Sequence, residues 1–304
     1  MVKEIQKFDP LNTNSYSKEI VHQAGIGIMT LNEKMSILFA NIEAMKIFGY
    51  ATGNLDGTKF TKLFHKSNKI ELENILSETN NSIKEKPIVE LTAIHMDNSA
   101  FPIELSITIN KFNDETLITV IIRDITESKK NEENLKYQAY FDQLTEIPNR
   151  TLFSDRAENA MNQAKRSNEG LAIIFIDLDG FKNINDTYGH EVGDIFLKNI
   201  AKRFIRSARK SDTVSRRGGD EFTILMPRIK NTEDAAYLAE RILESNEEPI
   251  VINKTSIYPK TSIGISVYPD DGDTVEILIE KADQAMYCAK KMGNNRYLFN
   301  QSDL

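Results

Sequence analysis

Short apolar runs separated by polar turns make up the first part of this 304-residue chain, whereas the later part alternates apolar runs with longer amphipathic segments. Between about residues 17 and 126, turn-forming groups such as "NEKM" and "DNSAF" divide the apolar runs in the manner typical of β-hairpins. One helical segment, "EAMKIFGY", interrupts them. This block is predicted to form an antiparallel sheet with flanking helices.

A connecting helix is predicted over residues 127–143, "ESKKNEENLKYQAYFDQ", because this segment has no proline or glycine and many helix formers. A seven-residue seam can be drawn through Ile125, Ser128, Glu132, Leu135 and Ala139. Since Ser128 and Glu132 are polar, the seam favours a weak coiled coil, and a shifting register fits it as well as a fixed one.

The second block alternates strands with helices. The predicted strands are "LAIIFIDLD", "DTVSRR", "FTILMP" and "KTSIGISVYP", and the predicted helices are "DIFLKNIAKRFIRSA", "EDAAYLAERILES" and "EILIEKADQAMYCAKKM". In the first helix, apolar residues recur at spacings of three and four, as in an amphipathic stripe. The arrangement indicates an α/β or α+β domain.

Composition argues against two classes of protein, nucleic-acid binders and membrane-spanning or secreted proteins. The net charge of −7 and the pI near 5.4 argue against a nucleic-acid binder, which would show a basic surface. No apolar run of about 18 residues predicts a membrane span, and the N-terminus lacks the features of a signal peptide, so a cytoplasmic protein is expected. The single cysteine, Cys288, is predicted to lie on an apolar helix face.

Two carboxylates, Asp177 and Asp179, close the apolar strand "IIFIDLD". Carboxylates at the end of a buried strand are costly unless they are paired or bind a metal. A calcium-binding EF-hand loop is excluded, because Phe181 and Lys182 stand where that loop needs an oxygen ligand and a glycine.

The stretch "SRRGGDEFTI" offers a partner for Asp177. Gly218 and Gly219 favour a tight turn with positive φ, and Asp220 and Glu221 follow them directly. If the strand from 222 to 227 returns beside the strand from 171 to 179, the carboxylates converge on Asp177. Carboxylates about 4 Å apart repel by roughly 4 kcal/mol at an effective dielectric of 20, so a divalent cation would stabilise them. On composition and spacing alone, a Gly-Gly-Asp-Glu turn is more often a solvated hairpin than a metal site.

Together with "FDQLTEIPNR", "FIDLDGFKNINDTYGHEVGD", "SIGISVYP" and "ADQAMYCAKKMGNN", the segment "RRGGDEF" resembles the GGDEF family of diguanylate cyclases. The N-terminal block, with "GIGIMTL", "IFGY" and "IIRDITESKK", resembles a PAS sensor domain. The resemblances imply an α+β chain with an extension at 1–16, a PAS domain at 17–126, a helical linker at 127–143 and a palm-like GGDEF domain at 138–304.

The family reaction joins two GTP into cyclic di-GMP and releases two pyrophosphates. Carried over by position, the resemblance implies that Asp177, the carbonyl of Leu178, Asp220 and Glu221 bind two Mg²⁺ ions, with Mn²⁺ as a substitute. It also implies that Asp220 accepts the proton, that Glu221 assists at the second metal and that Lys182 stabilises phosphate charge. Any lysine considered alone is more often a solvated surface residue.

For the substrate, the resemblance implies that Asn185 and Asp194 read guanine, that Phe181 and His190 lie at the nucleotide and that Lys290 holds the triphosphate. A carboxylate can accept hydrogen bonds from guanine N1–H and N2–H, whereas adenine offers an acceptor at N1. Asn185 and Asp194 could equally be helix caps, and His190 a local hydrogen-bonding residue.

A product-inhibition site is implied at Arg209 and Asp212, with Arg241 as a secondary contact, although a surface ion pair would look the same. Two positions depart from the family pattern. Asn294 stands where arginine is frequent, with Arg296 as a possible replacement, and Glu146 stands where glycine is usual.

Because each site would hold one GTP, the resemblance implies a homodimer joined through the PAS domain and the linker, with the PAS domain controlling activity. Two other functions remain open. One is an inactive GTP or cyclic di-GMP receptor that signals through protein contacts. The other is a PAS-centred sensor with an unknown ligand, although His22, His65 and His95 form no clear haem motif.

Overall fold

The computed structural model describes residues 25–50, 55–65, 68, 72, 88–112 and 115–300. The chain divides into two compact units between Glu133 and Asn134. The predicted extension, residues 1–16, and the beginning of the predicted sensor domain lie outside the described residues, as does His22.

The first unit contains a five-stranded antiparallel sheet in the order β2-β1-β5-β4-β3. The elements are β1 (Gly27–Asn32), β2 (Ile37–Ala40), α1 (Ile42–Ile47), a 3-10 turn (Phe60–Leu63), β3 (Val89–Ile94), β4 (Ala100–Phe112) and β5 (Glu115–Asp124). The hairpins predicted around "NEKM" and "DNSAF" are present, since β1 pairs with β2 and β3 with β4.

One face of this sheet is buried. Residues along β1 alternate between buried and partly exposed, as expected where a strand has a single face against a core. The buried Asn41 joins sheet and helix, because its side-chain oxygen accepts the N–H groups of Ile28 at 2.8 Å and Ala44 at 2.9 Å.

The helix α2 (Thr126–Tyr140) crosses the boundary between the units and has no buried residue. The predicted helix, 127–143, extends three residues too far. The carboxylate of Asp142 accepts the backbone N–H of Thr145 at 2.8 Å and its hydroxyl at 2.6 Å, and this local turn replaces a further helical turn. The coiled-coil seam stays a prediction.

The second unit contains a five-stranded sheet in the order β12-β11-β6-β8-β7, in which only the pair of β11 and β12 is parallel. Its strands are β6 (Gly170–Leu178), β7 (Thr213–Gly218), β8 (Glu221–Ile229), β11 (Thr261–Tyr268) and β12 (Arg296–Phe299). A small hairpin is formed by β9 (Ile250–Ile252) and β10 (Thr255–Ile257). The helices are α3 (Arg150–Ser167), α4 (Phe181–Tyr188), α5 (His190–Ser207), α6 (Glu233–Ser245) and α7 (Val275–Lys291).

Helices cover both faces of the second sheet, which explains the unbroken apolar run along β6. One face packs against α4, α5 and α6, and the other against α3 and α7. The helix α7 comes so close to β11 at Gly264 that an added Cβ would lie 1.9 Å from the carbonyl oxygen of Ala282. The predicted α+β fold is confirmed.

The sequence reasoning was wrong in several further local respects. It missed α3, α4 and the short strands β9, β10 and β12, and it began α5 four residues late, at Asp194. It also placed Cys288 on an apolar face, whereas Cys288 is exposed because the buried stripe of α7 runs through other positions, Leu278, Ala282, Ala285 and Ala289 among them.

Candidate active site

Two of the predicted metal-binding carboxylates lie on neighbouring strands at one edge of the second sheet. Asp177 on β6 stands opposite Glu221 on β8, and Ser262 on β11 and Arg296 on β12 continue the same row. The expectation that the strand after the glycine pair returns beside β6 is therefore confirmed. Opposite residues in such a ladder have Cβ atoms about 4.5–5.5 Å apart, which puts the side chains of Asp177 and Glu221 within reach of each other.

The turn between β7 and β8 is formed by Gly219 and Asp220, since Gly218 pairs with Glu221. Gly218 and Gly219 have φ angles of 148° and 54°, the positive values that the glycine pair predicted. The N–H of Leu178 donates to the carbonyl oxygen of Asp220 at 3.2 Å. This bond holds Asp220 at the end of β6, the strand that also carries Asp177.

Arg216 holds the turn from the side. Its Nε and Nη2 donate to the carbonyl oxygen of Gly219 at 3.0 and 2.7 Å, and its Nη1 donates to the two carboxylate oxygens of Asp142 at 2.9 and 3.1 Å. The arginine is buried. It therefore connects the glycine turn to the segment that follows α2, a function that the sequence reasoning did not assign to it.

Burial and like charge raise the pKa values of three carboxyl groups at this edge. Burial contributes most to the raised pKa of Asp220, and the charge of Asp177 adds to it. The pKa of Glu221 is raised by burial and then by Asp283 and Asp177, and burial also raises the pKa of Asp283 on α7. Sequence reasoning missed Asp283, although it stands two helical turns before Lys290 on the same side of α7.

Lys290 partly neutralises this group of carboxylates. Its Nζ donates to Oδ1 of Asp177 at 2.6 Å. Burial is the largest single influence on Lys290 and lowers its pKa, but the hydrogen bond to Asp177 and the charges of Asp177, Asp179 and Asp220 together outweigh burial and raise the pKa, so the ammonium is charged. Across the described ranges, no three His, Cys, Asp or Glu side chains are grouped as a metal site. The carboxylates nevertheless suit a hard divalent cation, which would relieve their repulsion once the ammonium moves from Asp177.

The predicted guanine-reading residues lie on the two helices that follow β6. Asn185 is within α4 and Asp194 is in the second turn of α5. Gly193 lets the helices meet, since an added Cβ would lie 1.9 Å from Oδ1 of Asn185. The alternative that Asn185 and Asp194 are helix caps is wrong, because α5 begins after Gly189 and Asn185 is inside its helix.

Three further predicted site residues, Phe181, Lys182 and His190, lie at the beginnings of these helices. Phe181 opens α4 and is buried, with its ring centroid 6.2 Å from that of Phe196. Lys182 follows it and is exposed, and His190 opens α5 and is exposed. Phe181 thus anchors α4 in the core, whereas Lys182 and His190 face solvent.

The predicted inhibitory pair lies beside an open cavity of about 600 Å³ lined in part by Arg156, Arg209 and Asp212. The backbone N–H of Arg209 donates to Oδ2 of Asp212 at 2.8 Å, and its guanidinium pairs with Asp234 at 2.8 Å. Arg241 does not line this cavity, and its guanidinium donates to the carbonyl oxygen of Arg206 at 3.5 Å. The structure therefore joins Arg209 with Asp212, and adds Asp234, which sequence reasoning missed.

Comparison with known proteins decides the family. The family described as "Diguanylate cyclase, GGDEF domain" matches residues 139–296, and the PAS domain family matches residues 25–127. The chain belongs to the GGDEF diguanylate cyclase family. Both resemblances stated from the sequence are thereby confirmed, and the second unit is a GGDEF domain that follows a PAS domain.

Two curated relatives of the GGDEF domain come from Pseudomonas aeruginosa. The bifunctional diguanylate cyclase/cyclic di-GMP phosphodiesterase MucR is 44% identical over 166 residues, which cover 55% of this chain and 24% of MucR. The diguanylate cyclase TpbB is 42% identical over 168 residues, covering 54% of this chain and 39% of TpbB. This chain therefore matches well under half of the length of either relative.

The solved structure of the GGDEF domain of TpbB from Pseudomonas aeruginosa is also similar. It superposes with a TM-score of 0.52 at 39% identity and covers 52% of this chain and 99% of that domain. In the described part of the present chain, none of the helices is both long and apolar enough to cross a membrane.

Both departures from the family pattern occupy unusual backbone conformations in the GGDEF domain. Glu146 has a φ of 61° and Asn294 a φ of 56°, values in the left-handed region that favours glycine. The glycine that the family usually has in place of Glu146 would adopt this conformation without strain. Asn294 lies next to Asn295, and asparagine tolerates the left-handed region better than most residues.

Proposed function

We propose that the chain is a Mg²⁺-dependent diguanylate cyclase that converts two GTP into one cyclic di-GMP and two pyrophosphates. The observation that carries the proposal is the placement of Asp177 and Glu221 on opposite positions of β6 and β8, with Asp220 in the adjoining turn. Carboxylates converging at the end of a buried strand are suited to holding divalent cations beside a triphosphate.

The proposed metal ligands are Asp177, the carbonyl of Leu178, Asp220 and Glu221. Two bound divalent cations would lower the pKa of the attacking 3′-hydroxyl and neutralise charge on the triphosphate. Asp220, which lies in the turn beside the end of β6, would also accept the proton of that hydroxyl. In each of two steps, the 3′-oxygen bonds to the α-phosphorus, the proton goes to Asp220 and pyrophosphate leaves.

The other site residues would bind and orient the nucleotide. Asn185, whose Oδ1 lies against Gly193, and Asp194, the next residue of α5, would read the Watson–Crick edge of guanine. Lys290, which pairs with Asp177 in this structure, would transfer its hydrogen bond to the triphosphate, and Lys182 would stabilise the developing charge.

One GTP in each site requires two GGDEF domains to face each other, so the proposed active form is a homodimer. The PAS domain and α2 would set how often the two sites meet, and Arg209 with Asp212 would bind the product as an inhibitor. This assembly predicts that the rate per protomer rises with protein concentration, which is measured by comparing turnover with the sedimentation behaviour of the full chain.

To decide between an enzyme and a receptor, the full chain and its Asp220→Ala variant are each incubated with GTP and Mg²⁺, and the products are analysed. The proposal expects a cyclic dinucleotide from the wild type and none from the variant. If the wild type binds GTP or cyclic di-GMP without turnover, the chain is a receptor.

A further inference from the structure

Asp179 lies two residues after Asp177, but its carboxylate makes a different set of hydrogen bonds. Its Oδ1 accepts the hydroxyl of Ser262 at 2.9 Å, and its Oδ2 accepts the backbone N–H of Asn295 at 3.1 Å. Its own N–H donates to the carbonyl oxygen of Lys260 at 2.9 Å. Both carboxylate oxygens therefore face β11 and the loop that precedes β12.

That loop lies between two positively charged residues, Lys290 and Arg296, at the edge of the sheet. It follows α7, whose last turn carries Lys290, and it leads into β12, which begins with Arg296. Gly293, Asn294 and Asn295 have successive φ angles of 114°, 56° and 47°. Consecutive residues in the left-handed region are unfavourable for L-amino acids, so this loop needs a contact from outside to keep its conformation.

Asp179 supplies such a contact, and Ser262 carries it to the metal-binding strand. Ser262 is fully buried and stands between Asp177 on one side and Arg296 on the other in the register of the sheet. Hydrogen bonds to a charged acceptor are stronger than neutral ones, so one carboxylate holds both the strand and the loop firmly.

The loop in turn shapes the surroundings of Arg296. The Nε of Arg296 donates to the carbonyl oxygen of Asn294 at 3.4 Å, and its Nη2 lies 3.3 Å from the place where a Cβ would stand on Gly293. The guanidinium therefore lies over the loop that Asp179 holds. On the other side of the loop, Lys290 reaches Asp177 at 2.6 Å.

We propose that Asp179 is a positioning residue, which fixes the loop at 293–295 through Ser262 and the N–H of Asn295 so that Lys290 and Arg296 meet the β- and γ-phosphates of the nucleotide. It acts through the loop without touching the substrate. The inference rests on the proposed function, because it presupposes a GTP site at this edge, and it assigns a charged phosphate contact to Arg296.

The test compares ligands that differ only in their phosphates. Full-length Asp179→Asn and Ser262→Ala are titrated with a non-hydrolysable GTP analogue and with GMP in the presence of Mg²⁺. The Kd of the GTP analogue is expected to rise about 10-fold in Asp179→Asn and about 3-fold in Ser262→Ala, while the Kd of GMP changes less than about 2-fold. Ser262→Thr keeps the hydroxyl and should restore binding.

Asp273→Asn is the matched control, because Asp273 is an exposed aspartate in the turn before α7. Equal losses of affinity for GMP and the GTP analogue would show a general structural role and overturn the inference, as would unchanged affinity in both variants. Ser262→Ala removes a single hydroxyl, so the same comparison of ligands can be made with this variant if Asp179→Asn fails to fold. A wild type that does not bind the GTP analogue would refute the proposed function itself.

Discussion

Arg216 and Asp142 form a largely buried ion pair, and its removal gives a stability prediction that can be worked out from the structure. The side chains of Arg216 and Asp142 are 10% and 20% exposed, and the guanidinium contacts both carboxylate oxygens at 2.9 and 3.1 Å. Asp142→Asn keeps the shape of the side chain but leaves the arginine without its counter-charge. Removing one partner of a fully buried pair costs about 3–5 kcal/mol.

Because some solvent reaches this pair, the expected loss for Asp142→Asn is about 2–3 kcal/mol. For a domain of this size, about 2–4 °C of melting temperature corresponds to 1 kcal/mol, so the GGDEF domain should melt roughly 5–10 °C lower. Calorimetry on the full chain measures this shift. Asp155→Asn, which changes an exposed aspartate on α3, should shift the transition by less than about 2 °C.

The same ion pair predicts that the free energy of unfolding depends on pH. Burial opposes the ionisation of Asp142, but hydrogen bonds from Thr145 and the charge of Arg216 outweigh it and lower the pKa of Asp142 below 3.8. A lowered pKa contributes stability above the pKa of the unfolded chain, and this contribution is lost as the pH falls through the folded value. The difference between wild type and Asp142→Asn should be constant from about pH 5 to 8 and shrink below about pH 4. If Asp142→Asn melts like Asp155→Asn throughout, the ion pair does not stabilise the turn.

Three further outcomes are expected. Glu146→Gly should stabilise the domain by about 0.5–1 kcal/mol, seen as a higher melting temperature, because residue 146 has a φ of 61°; a lower melting temperature would contradict this. Without metal, Asp220→Asn should be more stable than wild type by about 1 kcal/mol, since it removes repulsion from Asp177. Adding Mg²⁺ should raise the melting temperature of wild type only, and equal responses would argue against a metal site at Asp220. Asp234→Asn should lower the concentration of cyclic di-GMP needed for half inhibition by about 2–5-fold, because the carboxylate that competes for Arg209 is lost; unchanged inhibition in a turnover assay would contradict this.

Local sequence patterns predicted most of the strands and helices among the described residues, because a strand or an amphipathic helix repeats its apolar positions at one characteristic spacing. The strand β6 was visible as an apolar run, and α6 was predicted with the bounds that the structure has. The helix α3 was missed although Phe153, Ala157 and Met161 recur at a spacing of four and Asn149 caps it. That helix was therefore predictable from its apolar positions and its cap.

Part of the site depends on contacts that no local pattern contains. Asp177 and Asp220 were found because one ends a strand and the other follows a glycine turn. Arg216 and Asp142 are 74 residues apart, so their pairing follows only from the packing of the domain. The left-handed conformation of Glu146 is likewise set by the turn in which it lies.

The central claim is that the carboxylates at the end of β6 and in the following turn join two GTP molecules. It is tested most directly by incubating the full chain with GTP and Mg²⁺ and quantifying every product by chromatography and mass spectrometry. We predict one cyclic di-GMP for each two pyrophosphates, with no product after chelation of the metal or in Asp220→Ala. Unchanged GTP, or conversion to GDP and phosphate, in the wild type would contradict the claim.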